Sequence, residues 1–290
     1  MNVNVASEKP KSGATAPYRV ERLSASLGAE VHGVDLKAPM EDDTFKAFET
    51  ALIEHKVLVL RDQHLTTEEH VRFSRRFGDL EVHPMRPQGK FPEVLVLDND
   101  KDNPVLSTDV WRSDTTFRKN PTKYTILRCD IIPEIGGDTL WADMEAAYNG
   151  LSHTFRNMIA GLRAVHDFQN FRVLFKNTEE DRIKLHRMED MFPNPSHPVV
   201  RTHPVTGRKS IYVNPQFTLR IEGLEDAESR AILDVLFAQA RVPEYQFRLR
   251  WAPGTIVFWD NRSTQHYAAN DYYPAHRRME RTAVVGDVPE

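Results

Sequence analysis

The stretch Trp259–Arg281, WDNRSTQHYAANDYYPAHRRMER, joins two apolar runs, Thr255–Trp259 on its near side and Arg281–Val285 on its far side. Both read as strands, and Pro253-Gly254 supplies the turn leading in from a further run, Tyr245–Trp251. Arg277 and Arg278 are adjacent within it, so on a strand they face opposite sides and only one of them enters a shared pocket.

The same pattern of short strands and turns extends towards the N-terminus. Leu27–Leu36 alternates apolar and polar residues with a glycine kink, and Val57–Leu60 (VLVL) is a buried apolar strand. Val94–Leu97, Tyr124–Ile132 and Thr139–Ala142 are strand-like, and Val199–Asn214 reads as a hairpin around Val205-Thr206-Gly207. Helices are interspersed. Asp42 or Asp43 caps one with Phe45, Phe48 and Leu52 on a single face. Thr66 and Glu69 form a capping box for another, which carries Phe73 and Phe77 and closes at Gly78. Ser152 caps a third, with Phe155, Met158, Ile159 and Leu162 in register, and Asp226–Ala240 is a fourth. Many short strands with a few helices predict a mainly β chain, a sandwich or jelly roll with flanking helices.

Residues 1–17 are rich in Ser, Ala, Lys and Pro and read as a disordered tail, leaving 18–290 as a single domain. Between 171 and 198 the chain turns strongly charged (NTEEDRIKLHRMED) and then proline-rich (FPNPSHP), which predicts a mobile lid with a solvated face. A net charge of −4 over 290 residues gives no footprint for nucleic acid or an anionic membrane. No apolar run approaches the ~20 residues of a membrane span, and the N-terminus lacks a signal-peptide core. The single cysteine, Cys129, excludes an internal disulfide and points to a cytoplasmic protein.

Three stretches concentrate rare residue types: Val110–Phe117 (VWRSDTTF), Gly136–Trp141 (GGDTLW) and the opening segment, in which Arg277 follows His266 after eleven positions. Imidazole and carboxylate are the usual ligands of Fe(II), and two histidines with one carboxylate leave positions open for a chelating cosubstrate and O2. An arginine on the strand after the histidine suits the far carboxylate of that cosubstrate, and a threonine hydroxyl adds a donor.

At these residues the chain resembles the taurine dioxygenase / 2,4-dichlorophenoxyacetate dioxygenase family, over about Leu27 to Pro289. The LRDQ turn, FSRRFGDLEVHP, GGDTLW and WDNRSTQHYAANDYYPAHRR carry the resemblance. It implies a double-stranded β-helix (jelly roll), and Fe(II), 2-oxoglutarate and O2 as reactants, with hydroxylation of a small anionic substrate and release of succinate and CO2. It also implies Asp114 and His266 as metal ligands, and Thr139 and Arg277 as the 2-oxoglutarate holders. Arg281 is implied to grip the substrate anion, with His83, Arg86, Thr108 and Phe217 also lining the substrate site. A homo-oligomer, dimer or tetramer, is expected by the same analogy.

The chain departs from the family at one ligand. Where a His-x-Asp pair supplies the first histidine, this sequence reads Arg112-Ser113-Asp114. A protonated guanidinium has no lone pair for a metal, and its charge repels Fe(II). Four accounts stay open: an engineered change or a one-base variant of a histidine codon, a natural pseudoenzyme that binds 2-oxoglutarate or substrate without turnover, completion of the site by a neighbour such as His83, or a misassigned motif. Asp114 is kept, which argues against halogenation. Thr108 and Arg86 stand where taurine dioxygenases carry asparagine and tyrosine, so the substrate is expected to be a sulfonate, alkyl sulfate or carboxylate other than taurine.

Most of the 12 histidines have plainer readings. His55, His64, His70, His153, His186 and His197 are expected to be solvent-exposed or capping. Asp138 is expected to satisfy turn amides, and Arg278 to be a surface charge.

Overall fold

The computed structural model of the chain describes residues 17–82, 89–103 and 108–290. Most of the proposed tail, together with His83 and Arg86, lies outside them. The Val57–Leu60 strand shows how the layers are built. All four residues are buried because alternate side chains meet different covers. Leu58 and Leu60 join the cluster formed with Phe45, Phe48, Leu52, Phe73 and Phe77 of the flanking helices. Val57 and Val59 instead face Trp141, Phe247, Trp251 and Trp259 on the inner side. The neighbouring Ile256–Asp260 strand divides in the same way, with Ile256 and Phe258 outward and Val257 and Trp259 inward. Each such side chain contributes roughly 1.5–3 kcal/mol by leaving water.

The main sheet has seven strands in the spatial order Arg19–Arg22, Ala29–His32, Val57–Leu60, Ile256–Asp260, Thr122–Ile131, Arg277–Val285 and Leu95–Asn99. A three-stranded sheet, Gln246–Leu249, Thr139–Asp143 and Thr264–Ala268, contributes Trp141 to the inner core. Two smaller sheets carry Arg163–His166 between Thr218–Ile221 and Ser196–Pro198, and the hairpin Val200–Thr202 with Lys209–Ile211. The chain is therefore mainly β with several helices, and among the described residues no sheet closes into a barrel.

The capping box at Thr66 and Glu69 is present, with both reciprocal bonds formed. Ser152 caps its helix by accepting the Phe155 N–H. The first helix differs from expectation: its cap position is Glu41, and Asp42 and Asp43 sit in the first turn, where their charge favours the helix dipole. The larger correction concerns the 171–198 region. It contains the helix Glu179–Met191, capped by Thr178, whose Met188 and Leu185 pack with Phe117, Phe168 and Phe217. The charged sequence is its solvated face, and the helix itself is an element that the composition of the segment did not announce.

Two histidines also correct the sequence reading. His70 and His197 are buried, not exposed. His70 Nε2 lies 3.2 Å from Thr282 Oγ1, and His197 Nε2 lies 3.0 Å from the Arg118 carbonyl.

Candidate active site

Arg112 and His266 exchange both backbone hydrogen bonds, at 3.0 and 2.8 Å, which fixes the Val110–Phe117 segment beside the Thr264–Ala268 strand. Ser113 Oγ adds a bond to the Thr264 carbonyl at 2.7 Å. The chain then turns sharply. Thr115 has φ 53°, a left-handed conformation costly for a β-branched residue. Its hydroxyl is held to Thr122 Oγ1 at 2.8 Å, and that hydroxyl donates to Glu81 at 2.6 Å.

Asp114 sits at this turn, 4% exposed. Its N–H donates to Asn261 Oδ1 at 3.1 Å, and its Oδ2 accepts from Thr125 Oγ1 at 2.6 Å. Asn261 is itself fixed: it accepts from Trp259 Nε1 and donates to Thr125 Oγ1. The other carboxylate oxygen, Oδ1, is 3.2 Å from Arg281 Nη1 and 3.6 Å from His266 Nε2. Burial alone would raise the Asp114 pKa. The charge of Arg281, then His266 and Arg112, together with the Thr125 bond, instead hold it at about 2. His266 moves the other way: burial, opposed by Asp114, lowers it to about 3, so its ring is neutral near pH 7 with a lone pair to offer.

Arg112 directs Nη1 to the carbonyls of Thr108 and Val110, at 2.8 and 3.0 Å. Burial lowers its pKa, Asp114 opposes the shift, and Arg281 and Arg277 reinforce it as like charges. It nevertheless stays a cation, because a guanidinium starts above 12.

A second group lies where the Gly136–Trp141 motif meets the start of the Arg277–Val285 strand. Trp251 Nε1 donates to Thr139 Oγ1 at 2.9 Å. A hydroxyl that accepts there keeps its own proton to give elsewhere. Arg277 is 5% exposed and lies over the Tyr272 ring at 5.7 Å, and its buried Nε has no hydrogen-bond partner. Gly137 makes room for it: at φ +73°, an added Cβ would come within 3.2 Å of Arg277 Cδ. The Gly137 N–H is satisfied by Asp271 Oδ1, whereas Asp138 accepts from Arg248 Nε. The turn amide thus belongs to Asp271, not to the expected Asp138.

Of the remaining expected residues, Thr108 presents its carbonyl to Arg112 and to the Ala268 N–H. Phe217 packs 5.3 Å from Phe117 in the aromatic cluster, three positions along from Asp114. Arg278 is half-buried, turned away from Arg277 and paired with Asp130, Asp98 and Glu280. Sequence reading missed Asn261, Thr125, Trp251, Asp271 and Tyr272. Three of these, Asn261, Asp271 and Tyr272, stand inside the WDNR and NDYY words, so proximity to His266 and Arg277 was their only signal.

A family model described as "Taurine catabolism dioxygenase TauD, TfdA family" matches residues 19–283. The chain belongs to that family. Its TauD/TfdA relatives include an alkylsulfatase of Acinetobacter baylyi, 36% identical with 94% of this chain and 87% of the relative covered. An α-ketoglutarate-dependent sulfate ester dioxygenase of Pseudomonas putida is 34% identical, with 95% and 93% covered. Among solved structures, a taurine dioxygenase from Burkholderia xenovorans superposes with a TM-score of 0.80 at 35% identity, covering 94% of this chain and 91% of that one. AAD-2 in complex with Mn(II) and N-oxalylglycine gives 0.80 at 29% identity, with 94% and 98% covered.

TauD/TfdA enzymes use Fe(II), 2-oxoglutarate and O2. The residues present suit the second of these better than the first. A buried Arg277 Nε without a partner, set against Gly137, and a proton-bearing Thr139 hydroxyl two positions along the same motif each suit a carboxylate. The metal is different: among the described residues no three His, Cys, Asp or Glu side chains gather to hold an ion. Asp114 and His266 are adjacent, but the segment that pairs with His266 brings Arg112 and not a further donor, so among the described residues a three-donor iron site does not fit.

Proposed function

We propose that this chain is a 2-oxoglutarate-dependent dioxygenase of small organic anions, with sulfate esters and sulfonates foremost, whose iron site retains Asp114 and His266 as its donors among the described residues. The observation carrying this reading is the buried Arg277 with its unpartnered Nε, set against Gly137 near Thr139. It is the cradle a 2-oxoglutarate carboxylate requires. Arg281 is the candidate for the substrate's anionic group, and the Phe117 and Phe217 rings offer an apolar wall for its carbon skeleton. The names of the relatives, among them alkylsulfatase and sulfate ester dioxygenase, support that substrate class. In this reading the facing sheets form a jelly roll within one domain, and the Glu179–Met191 helix is a lid whose apolar side rests on the Phe117 cluster. The protein would work in the cytoplasm, where a buried lone thiol such as Cys129 stays reduced, and as a homo-oligomer.

Arg112 favours a second reading, a protein that binds 2-oxoglutarate or substrate without turnover. Anaerobic addition of Fe(II) and 2-oxoglutarate separates the two. A metal-to-ligand absorption band followed by succinate formation on admitting O2 supports the enzyme. If the band and the succinate appear only in Arg112→His, the second reading holds.

A further inference from the structure

Three guanidiniums, Arg112, Arg277 and Arg281, converge on a single site: Arg277 and Arg281 share one face of a strand with the inner-core Met279 between them, Arg281 reaches Asp114, and Asp114 adjoins His266, whose main chain pairs with Arg112. One of them is already matched, since Arg281 Nη1 lies 3.2 Å from Asp114 Oδ1. Arg112 and Arg277 remain, and among the described residues neither has a carboxylate within salt-bridge distance. Arg277 keeps a buried Nε without a partner. The side-chain bonds of Arg112 all leave from Nη1, so the donors on Nε and Nη2 are not used by Thr108 or Val110.

We propose that Arg112 takes over the positive charge a metal would supply, making this pocket a metal-independent receptor for a short dicarboxylate of the 2-oxoglutarate class. Two unmatched cations call for two carboxylates. One is received by Arg277 and Thr139, and the other faces Arg112, which offers a planar fork of N–H donors where a metal would offer open coordination positions. A divalent ion added to the same site would meet three guanidiniums and, among the described residues, two donor side chains, so it competes poorly with the dianion alone. The inference rests on the reading that Thr139 and Arg277 hold a carboxylate. It goes further by assigning the residue that departs from the family a binding role of its own.

Calorimetric titration of the full chain with 2-oxoglutarate, in buffer containing EDTA and again with Mn(II), tests this. The expected result is binding in EDTA that Arg112→His weakens by roughly ten- to a hundredfold, the size of a lost charge-assisted hydrogen bond. Arg112→Lys, which keeps the charge, should retain most of it, and Arg112→His should recover affinity when Mn(II) is supplied. Urea unfolding of each variant confirms that the comparison is between folded proteins. If the parent chain binds only with Mn(II), the metal-independent receptor is overturned, and if Arg112→His binds equally well in EDTA, the role of Arg112 in place of a metal is overturned, while in both cases the cosubstrate pocket stands. If Arg277→Ala leaves binding unchanged, or nothing binds under either condition, the Thr139–Arg277 reading falls and takes the inference with it.

Discussion

Trp251 and Thr139 are coupled by one hydrogen bond, indole N–H to hydroxyl oxygen at 2.9 Å, and both side chains are buried. The bond sets the direction in which Thr139 donates. Removing it in Trp251→Phe keeps the ring's bulk but frees the hydroxyl to rotate. Affinity for 2-oxoglutarate should fall about three- to tenfold, the usual net worth of a neutral hydrogen bond. In a Thr139→Ala background the same change should have little further effect on binding. Full additivity of the two losses, measured by calorimetry, would show that the indole does not act through the hydroxyl.

Arg281→Ala should separate the two anions of the site. Arg281 touches Asp114, whereas Arg277 lies against Gly137 and Tyr272. In the Arg112→His background, where turnover is measurable, KM for a sulfate ester or sulfonate is expected to rise far more than KM for 2-oxoglutarate. Equal rises would refute the division of labour between the two arginines.

Arg112→His should leave the fold intact. The two backbone bonds with His266 and the Ser113–Thr264 bond do not involve the 112 side chain. Only the two Nη1 contacts are lost, so urea unfolding should shift by no more than about 1–2 kcal/mol. A loss of cooperative unfolding would mean that the arginine is a structural requirement.

Stability should fall on mild acidification. Burial, with the charge of Arg128 adding to it, takes His70 down to about 4, and burial likewise takes His197 to about 4, against 6.5 for a free imidazole. Between those values the unfolded chain holds protons that the native state refuses, so native stability is complete above pH 6.5 and is lost as pH falls towards 4. Each histidine contributes on the order of 3 kcal/mol to that slope. Urea midpoints measured from pH 7 to 4.5 should drop, and His70→Gln should flatten the profile. A midpoint constant over this range would contradict the buried, neutral state of both rings.

How much of this was legible beforehand depended on whether a residue's fate is local. Val57–Leu60 could be read because an uninterrupted apolar run has no solvent-facing option, and the Thr66–Glu69 box because both partners lie within one turn. The Glu179–Met191 helix was hidden by its composition, since a helix that rests mainly on Leu185 and Met188 shows a weak apolar stripe among charges. His70 and His197 were misread because their burial is set by partners more than 70 positions away, Thr282 and Arg118. Asp138 and Asp271 exchanged roles for the same reason: 134 positions separate Asp271 from the amide it satisfies. At the site itself, Asp114, His266, Thr139 and Arg277 were marked by sequence words, whereas Asn261, Thr125 and Trp251, which aim them, became visible only in three dimensions.

The reciprocal main-chain pairing of Arg112 with His266 has an evolutionary corollary. Because the peptide holds this segment to its neighbouring strand, the side chain at 112 carries only the smaller share of its stability, the two bonds from Nη1. Forms of the chain with and without the third donor are immediate neighbours in sequence space, and a lineage can cross between them without passing through an unstable ancestor.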